Sequence, residues 1–299
     1  MKLSKTKFEK LKTAIFNNGR TLDIELFKYK FENGEKDSVI EELAKYQNVD
    51  GGFGHGIEPD IRLKASSPIA TTIGFQYCLK IGLSTEHKIY QKSLEYFLTN
   101  LNKNDVYWPN TFENVNDEPH APWWQVEEIQ EPPIERWANA NAEIAGYLFK
   151  FQDKSKEITD IIEKKILKIL NQTELIKGLY NFMCWERGLQ YYPSKIKNKT
   201  KELIIRSYES LSPLTKKKMG EIRIFFLTKH PSDLINETLS EDVSKLIDNE
   251  IKLLNTYNAC IPTWEWGMYP EAWAVAKREW IGKMTVDLLI TLKNYNRLD

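Results

Sequence analysis

Three side chains that can move a proton lie close together in the segment YQNVDGGFGHGIEPD (46–60). His55, Glu58 and Asp60 stand among four glycines, on a connection that is too long for a plain helix–helix turn. Held on such a loop, the imidazole and a carboxylate can work as a general acid/base pair. The same groups could bind a divalent metal ion, or the two acids could cap the next helix and bond loop amides. The sequence leaves these three interpretations open.

A second group of candidate residues lies in PHAPWW (119–124). His120, Trp123 and Trp124 are set among prolines, with the carboxylates Glu118 and Glu127 close by in the sequence. Flat aromatic faces beside carboxylates suit a sugar ring, and they equally suit a carbocation or an apolar chain. The alternative is that the tryptophans pack as a lid over one end of the fold.

The third group lies in WEWGMYPEAW (264–273), where Glu265 and Glu271 flank glycine and proline. Packing explains the aromatic residues of this segment more readily than it explains the two acids. The predicted catalytic residues are His55, Glu58, Asp60 and Glu265. The predicted substrate-binding residues are Trp108, His120, Trp123, Trp124, Trp266, Tyr269 and Glu271.

Helices must position these side chains, because apolar residues recur at helical spacing along most of the chain. Ser67 and Pro68 form an N-cap and first-turn pair before one such stripe. The predicted helices are at about 6–17, 21–33, 37–47, 66–82, 87–102, 138–152, 156–172, 178–190, 195–210, 214–229, 240–257 and 273–294. The chain is therefore predicted to be all-α, with its helices paired into about six hairpins.

An internal repeat supports this pairing, because a leucine, an amide residue and an aromatic residue recur with fixed spacing. The three copies are Leu43, Gln47 and Phe53; Leu98, Asn102 and Trp108; and Leu254, Asn258 and Trp264. Their aromatic residues are separated by about 55 and then by about 156 residues, which fits a unit of about 50 residues. Each unit corresponds to one helical hairpin.

The connections between hairpins are predicted to be long, at 48–65, 103–137 and 258–272. If the helices alternate up and down around a ring, all three loops emerge at the same end. The candidate catalytic and binding residues lie on these loops, and loops held by a rigid scaffold often carry function. We therefore expect one domain, 1–299, with a functional rim that includes a long loop at about 103–137.

The segment 46–60, together with SSPIATTIGFQYCLKIG (66–82), resembles the repeat of the terpenoid cyclase and protein prenyltransferase superfamily. The matching positions are Gln47, Asp50, Gly51, Gly52, Phe53, Gly54, Ser67, Pro68 and Thr71. The resemblance implies an α/α toroid, in which the glutamine and the aromatic residue join adjacent helices around a central, often apolar-lined pocket. It is strongest over 40–82, and it concerns the fold more than the chemistry.

The motifs that carry the chemistry of this superfamily are missing from the sequence. The chain has no D-x-D-D, no D-D-x-x-D and no D-x-C, and its last histidine, His230, precedes the final repeat. The resemblance therefore implies a protein that binds an apolar or isoprenoid-like small molecule at the rim, and it implies no specific reaction. Two other functions stay open: a glycan hydrolase or lyase that uses rim carboxylates, and a non-catalytic toroid that binds a peptide or protein.

The amino-acid composition limits which binding partners and which cellular compartment we expect for this protein. Lysine plus arginine and aspartate plus glutamate are balanced at 42 each, which argues against a nucleic-acid-binding protein. The three cysteines are widely spaced, no apolar run approaches a membrane span, and no signal-peptide core is visible. We expect a cytoplasmic protein with a small-molecule ligand, while a divalent metal cofactor and the oligomeric state stay open.

Overall fold

The structure, a computed structural model, describes residues 1–150, 156–217 and 223–299. In these ranges it contains α-helices, short 3₁₀ turns and isolated β-bridges, but no β-strand, which confirms the all-α prediction. The helices are α1 Lys5–Asn18, α2 Thr21–Phe31, α3 Lys36–Ala44, α4 Pro68–Lys80, α5 Lys88–Thr99, α6 Ala138–Lys150, α7 Lys156–Gln172, α8 Leu179–Leu189, α9 Ser194–Lys217, α10 Ile224–Leu227, α11 Ile235–Tyr257 and α12 Pro270–Asn294. The ring-like toroid arrangement stays a prediction.

Most predicted helix positions agree with the structure, and the clearest agreement is at α4. The Ser67 hydroxyl accepts a hydrogen bond from the Ala70 amide, and Pro68 occupies the first turn, as the sequence predicts. The prediction of one helix at 214–229 is wrong. The helix α9 continues to Lys217, and among the described residues from 223 to 229 only Ile224–Leu227 is helical. Residues 218–222 of that predicted helix lie outside the described residues, as do 151–152 of the predicted helix 138–152.

The chain divides into two compact units. Unit 1 consists of Met1–Lys45, His120–Pro122 and Ser210–Asp299, and unit 2 consists of Tyr46–Pro119 and Trp123–Glu209. The expectation of a single domain over 1–299 stays a prediction.

Unit 1 is built around α12, against which α1, α2 and α10 pack. The end of α1 meets α12 so closely that a Cβ atom on Gly282 would lie 2.2 Å from Cα of Gly19. The two ends of the chain also meet, because the Leu3 amide donates to the Arg297 carbonyl at 2.8 Å and the Asp299 amide to the Leu3 carbonyl at 3.1 Å. These contacts make the first and last helices parts of the same core.

Unit 2 has α6 at its centre, between α4 and α8. Two glycines allow α6 and α8 to touch through their backbones, since a Cβ atom on Gly146 would lie 2.7 Å from Cα of Gly188. Side chains that would otherwise separate the two helices are absent at this crossing. The pair α6 and α8 is therefore the most closely packed part of the unit.

The helices α4, α6 and α8 begin at the same end of unit 2, where two asparagines join them. The Asn110 carbonyl accepts from the Ile69 amide at 2.9 Å, and its side chain accepts from the Ala140 amide at 3.0 Å. Asn181 of α8 accepts from the Asn139 amide of α6 at 3.2 Å. Because all three helices present their positive ends here, this end of the unit is suited to polar ligands.

Candidate functional site

The first half of the glycine-rich loop, residues 47–54, contacts both α4 and α5 of unit 2. The Gln47 side-chain amide donates to the Gly51 carbonyl at 3.0 Å and to the Ile89 carbonyl at 2.9 Å, which joins the loop to α5. Phe53 is fully buried, and a Cβ atom on Gly74 of α4 would lie 2.6 Å from its ring. This glutamine and this aromatic residue join neighbouring helices, as the resemblance implies.

Asp50 and Gly51 shape the turn between these two residues. The Asp50 carboxylate accepts from the Gly52 amide at 3.0 Å and from the Ser66 hydroxyl at 2.8 Å. Gly51 has a φ of +88°, a conformation that glycine adopts without steric cost. The segment 47–54 therefore has a structural role that accounts for its composition.

His55 follows this segment and is exposed to solvent. Its Nε2 lies 2.9 Å from the Asn48 side-chain oxygen. The orientation of that amide is fixed, because Asn48 Nδ2 donates to the Lys64 carbonyl and to the Ser66 hydroxyl, each at 3.0 Å. His55 Nε2 must therefore carry a hydrogen and donate it, which leaves the Nδ1 lone pair of the neutral ring as the proton acceptor.

The two predicted acids of the loop are buried, with Glu58 6% and Asp60 4% exposed. The Asp60 amide donates to Glu58 Oε1 at 3.4 Å, so part of the bonding of Glu58 is to the loop backbone, as the capping interpretation predicts. Buried carboxylates are costly unless they are paired or hydrogen-bonded. Their burial next to each other is the main chemical feature of this loop.

Arg62 brings a positive charge to the same loop. A Cβ atom on Gly56 would lie 3.1 Å from its Cζ atom, so the guanidinium lies over the Gly56 backbone. Its Nη1 lies 3.4 Å from the Pro59 carbonyl, and its amide donates to the Pro119 carbonyl at 3.0 Å. Arg62 therefore joins the acid-bearing loop to the middle of the predicted rim loop.

Tyr180 faces these acids from α8, although it lies far from them in the sequence. It follows Gly178, whose φ of +83° turns the chain into the helix. Partial burial, together with the negative charges of Glu58 and Asp60, raises the pKa of Tyr180. The side chain as a whole is 57% exposed, so the ring is open to solvent while its hydroxyl lies in the field of the acids.

The tryptophans of unit 2 differ in their surroundings. Trp108 is 1% exposed, and its indole nitrogen donates to the Phe97 carbonyl at 2.7 Å. Trp123 is 49% exposed and Trp124 is half-buried in a short 3₁₀ turn. The exposed face of Trp123 is the one that a ligand could reach directly, while Trp108 packs in the core.

The remaining predicted site residues lie in unit 1. His120 is 2% exposed, with its ring 5.9 Å from that of Tyr269. Trp266 is buried 5.6 Å from the ring of Trp273, which lies in α12. These contacts bring His120 and the aromatic residues of the third sequence motif into one unit.

The two predicted acids of unit 1 are both exposed. Glu265 lies 3.6 Å from the Lys277 ammonium group, and Glu271 is in the first turn of α12. An acidic residue in the first turn of a helix interacts favourably with the helix dipole. The catalytic role of Glu265 and the binding role of Glu271 stay predictions.

A buried carboxylate that the sequence analysis did not identify lies at the centre of unit 2. Glu143 accepts hydrogen bonds from Gln76 at 2.8 Å, from Arg187 at 2.9 Å and from the Tyr147 hydroxyl. The Cys184 thiol lies 3.9 Å from the same carboxylate, and burial and this charge raise the pKa of the thiol. Cys184 is therefore a protonated, buried thiol.

Two surface grooves lie away from all of these predicted site residues. One, of about 440 Å³, is lined by Leu3, Phe8 and Phe31 of unit 1 among others, and one of about 270 Å³ is lined by Pro132, Lys168 and their neighbours in unit 2. Among the described residues, no group of three histidine, cysteine, aspartate or glutamate side chains is arranged to hold a metal ion. In the same ranges, no helix is long and apolar enough to cross a membrane.

Comparison with known proteins adds no family to these observations. No family model, no curated protein and no solved structure matches the chain. The terpenoid cyclase resemblance therefore stays a prediction, and the function must be argued from the side chains of each unit.

Proposed function

We propose that the chain is an enzyme that performs acid/base chemistry on a hydroxylated small molecule, with a sugar as the best-supported substrate class. The site is the loop 54–62 of unit 2, together with Tyr180. The observation that supports this is the burial of Glu58 and Asp60 next to each other, within the electrostatic reach of the Tyr180 hydroxyl. Paired acids with a neighbouring proton donor are typical of such sites.

The groups of the site have complementary roles in this proposal. The Tyr180 hydroxyl is protonated at neutral pH, and because its raised pKa makes it hold the proton more tightly, it acts as a hydrogen-bond donor to the substrate. Glu58 or Asp60 in its ionised form accepts the proton that the substrate gives up. The positive charge of Arg62 offsets part of the negative charge of the two acids, which lowers the cost of keeping both in the loop.

A sugar fits these groups for two reasons. Its hydroxyls are donors, and ionised carboxylates offer only acceptors, so the two form charge-assisted hydrogen bonds. Its apolar face packs on an aromatic ring, which the exposed Tyr180 and the exposed Trp123 both offer in unit 2.

The test measures ligand-dependent thermal stability of the full chain with a panel of neutral sugars and uronates. A ligand at about 100 times its dissociation constant should add roughly 2.7 kcal/mol of stability to the wild-type protein. Glu58→Gln and Tyr180→Phe should fold and lose that response, whereas Glu86→Gln, an exposed acid between α4 and α5, should keep it. An unchanged response in both site variants would contradict the proposal.

A second candidate function follows from the repeat motif of residues 47–54 and the superfamily it resembles. In this proposal the chain binds an apolar or isoprenoid-like molecule. Aromatic side chains such as Phe75 and Tyr147, whose rings lie 4.0 Å apart, would then contribute to the walls of an apolar pocket. Stabilisation by polyprenyl diphosphates or neutral terpenoids, and by no sugar, would favour this function.

The same panel also examines the divalent metals and the non-catalytic alternative. Each ligand is tested with and without Mg²⁺, Ca²⁺ and Zn²⁺, and a metal-dependent response would identify a cofactor. A protein that responds to no small molecule would fit the peptide-binding or protein-binding function instead.

A further inference from the structure

A buried hydrogen-bond donor lies at the beginning of α6, in Asn141. The side chain is 1% exposed, and its Oδ1 accepts from the Trp108 amide at 2.6 Å. Because the Trp108 amide can only donate, Oδ1 must face it, and Nδ2 must point the other way. That nitrogen has no hydrogen-bond partner among the described residues.

A second buried donor, the Thr111 hydroxyl, lies on the segment that is hydrogen-bonded to the start of α6. Thr111 is 4% exposed, and its Oγ1 likewise has no hydrogen-bond partner in the described ranges. The two residues flank one hydrogen bond, since Asn110 accepts from the Ala140 amide at 3.0 Å. Segment 108–111 therefore runs beside 139–141, so the two residues belong to one pair of neighbouring segments in unit 2.

These donors lie at the end of unit 2 that carries the acid loop. The Asn110 carbonyl accepts from Ile69 at the start of α4, and the same connection continues to Pro119, whose carbonyl accepts from Arg62. At the other side of the loop, Phe53 accepts from Ser67, which caps α4. Segments 53–62 and 108–119 thus line the same ends of the helices.

We propose that Asn141 Nδ2 and Thr111 Oγ1 form a subsite for a carboxylate oxygen of the ligand. The inference rests on the proposed function and makes it more specific, because the substrate would then be an acidic sugar such as a uronate. Two neutral donors at the positive end of α6 favour an anionic oxygen, which forms the stronger hydrogen bonds.

The cost of burying such donors supports an occupant of this kind. A buried donor without a partner costs about 1–3 kcal/mol, and native proteins leave few of them. A carboxylate oxygen would accept from both groups at once. A neutral sugar lacks the negative charge and would form weaker hydrogen bonds with the same two donors.

The experiment compares D-glucuronate with D-glucose in thermal-shift and calorimetric titrations of the full chain. Wild-type protein should bind glucuronate more tightly than glucose. Thr111→Val keeps the shape and removes the hydroxyl, so it should weaken glucuronate binding at least tenfold. Thr111→Ser restores the donor and should restore the affinity. Asn141→Asp keeps the acceptor for Trp108, replaces the donor by a negative charge and should abolish glucuronate binding.

The outcomes separate this inference from the proposed function. Binding of glucose and glucuronate with equal affinity, unaltered in Thr111→Val, would overturn the carboxylate subsite and leave the acid/base site standing. If Thr111→Val lowers the melting temperature but leaves the glucuronate affinity unchanged, the two donors bind a structural water molecule and no carboxylate. Failure of every sugar to bind the wild-type protein would overturn both.

Discussion

The carboxylate of Glu143 joins three helices at the level of single residues. Its partners Gln76, Tyr147 and Arg187 come from α4, α6 and α8. Glu143 is 1% exposed, while Arg187 reaches solvent with about a quarter of its side-chain surface, 24%. The network therefore connects the core of unit 2 with its surface through one arginine.

We expect Glu143→Gln to lower the free energy of unfolding by about 3–5 kcal/mol. The substitution removes the charge that pairs with Arg187, and it places a new donor next to the donors Gln76 and Tyr147. Urea unfolding, followed by circular dichroism, measures the change.

The matched control is Glu163→Gln, which removes a half-buried partner of the exposed Lys195 at 3.3 Å. A pair at the solvent surface contributes little, so the control should cost less than about 1 kcal/mol. Equal costs for the two variants would show that the Glu143 network does not stabilise unit 2.

The sequence identified His55, Glu58 and Asp60 because they break a helical pattern within a few residues. It could not identify Tyr180, since nothing in the local pattern of α8 distinguishes this tyrosine from the thirteen others. The position of its hydroxyl within the field of Glu58 and Asp60 depends on how α8 packs against the start of α6 through Asn181. Such an arrangement becomes visible only when the tertiary structure is known.

At the scale of elements, the crossing of α6 and α8 has no room for a side chain. A Cβ atom on Gly188 would lie 2.4 Å from the Ala142 carbonyl oxygen. Alanine is a better helix former than glycine by about 1 kcal/mol, so propensity alone would favour Gly188→Ala. The two effects have opposite signs, and the close contact should decide between them.

We expect Gly188→Ala to destabilise the protein by about 1–3 kcal/mol, because α8 must move away from α6. The measurement is the melting temperature and the urea midpoint of the purified variant. The reverse exchange at an exposed position, Ala274→Gly in α12, calibrates helix propensity and should cost about 1 kcal/mol. A stabilised Gly188→Ala variant would mean that the backbones are further apart than described.

The positions of most helices could be predicted from the sequence, because apolar period and capping residues are local signals. Ser67 and Pro68 mark the start of α4 in the sequence pattern and in the structure alike. The prediction of one helix at 214–229 is wrong after α9, since among the described residues 223–229 only Ile224–Leu227 is helical. There the buried Arg223 and Ile224 are held by Glu250 of α11, a tertiary contact that periodicity does not contain.

At the scale of the whole molecule, many buried thiols and phenols determine the response to alkaline pH. Burial raises the pKa of Cys78 from 9.0 to about 12 and that of Tyr191 from 10.0 to about 12. The pKa values of Cys184 and Cys260 are raised as well, again mainly by burial. Above pH 9 the unfolded chain therefore loses protons that the folded chain keeps.

Because the unfolded state then binds fewer protons, we expect the free energy of unfolding to fall as the pH rises above about 9. Below that pH these groups are protonated in both the folded and the unfolded state, so they do not make the free energy of unfolding depend on pH. Each of these groups lowers the free energy of unfolding by about 1.4 kcal/mol per pH unit, once it is ionised in the unfolded state and still protonated in the folded state. Urea unfolding between pH 7 and pH 10.5, under reducing conditions, measures the slope.

Cys78→Ala provides the control for this pH dependence. Its stability at pH 7 should fall through the loss of packing, and its alkaline slope should be smaller than that of the wild-type protein. Lys30, whose pKa is lowered by burial, acts in the opposite direction and reduces the total slope. A free energy of unfolding that stays constant up to pH 10.5 would contradict the prediction.

The division of the chain has a consequence for synthesis on the ribosome. Unit 1 takes its helices from both ends of the sequence, whereas unit 2 is formed from the middle. Nascent α1 and α2 are translated before unit 2, yet α12, which packs against both of them, is translated after it. Domains generally close as units during translation. Unit 2 can therefore fold while α1 and α2 still lack α12 and remain accessible to chaperones.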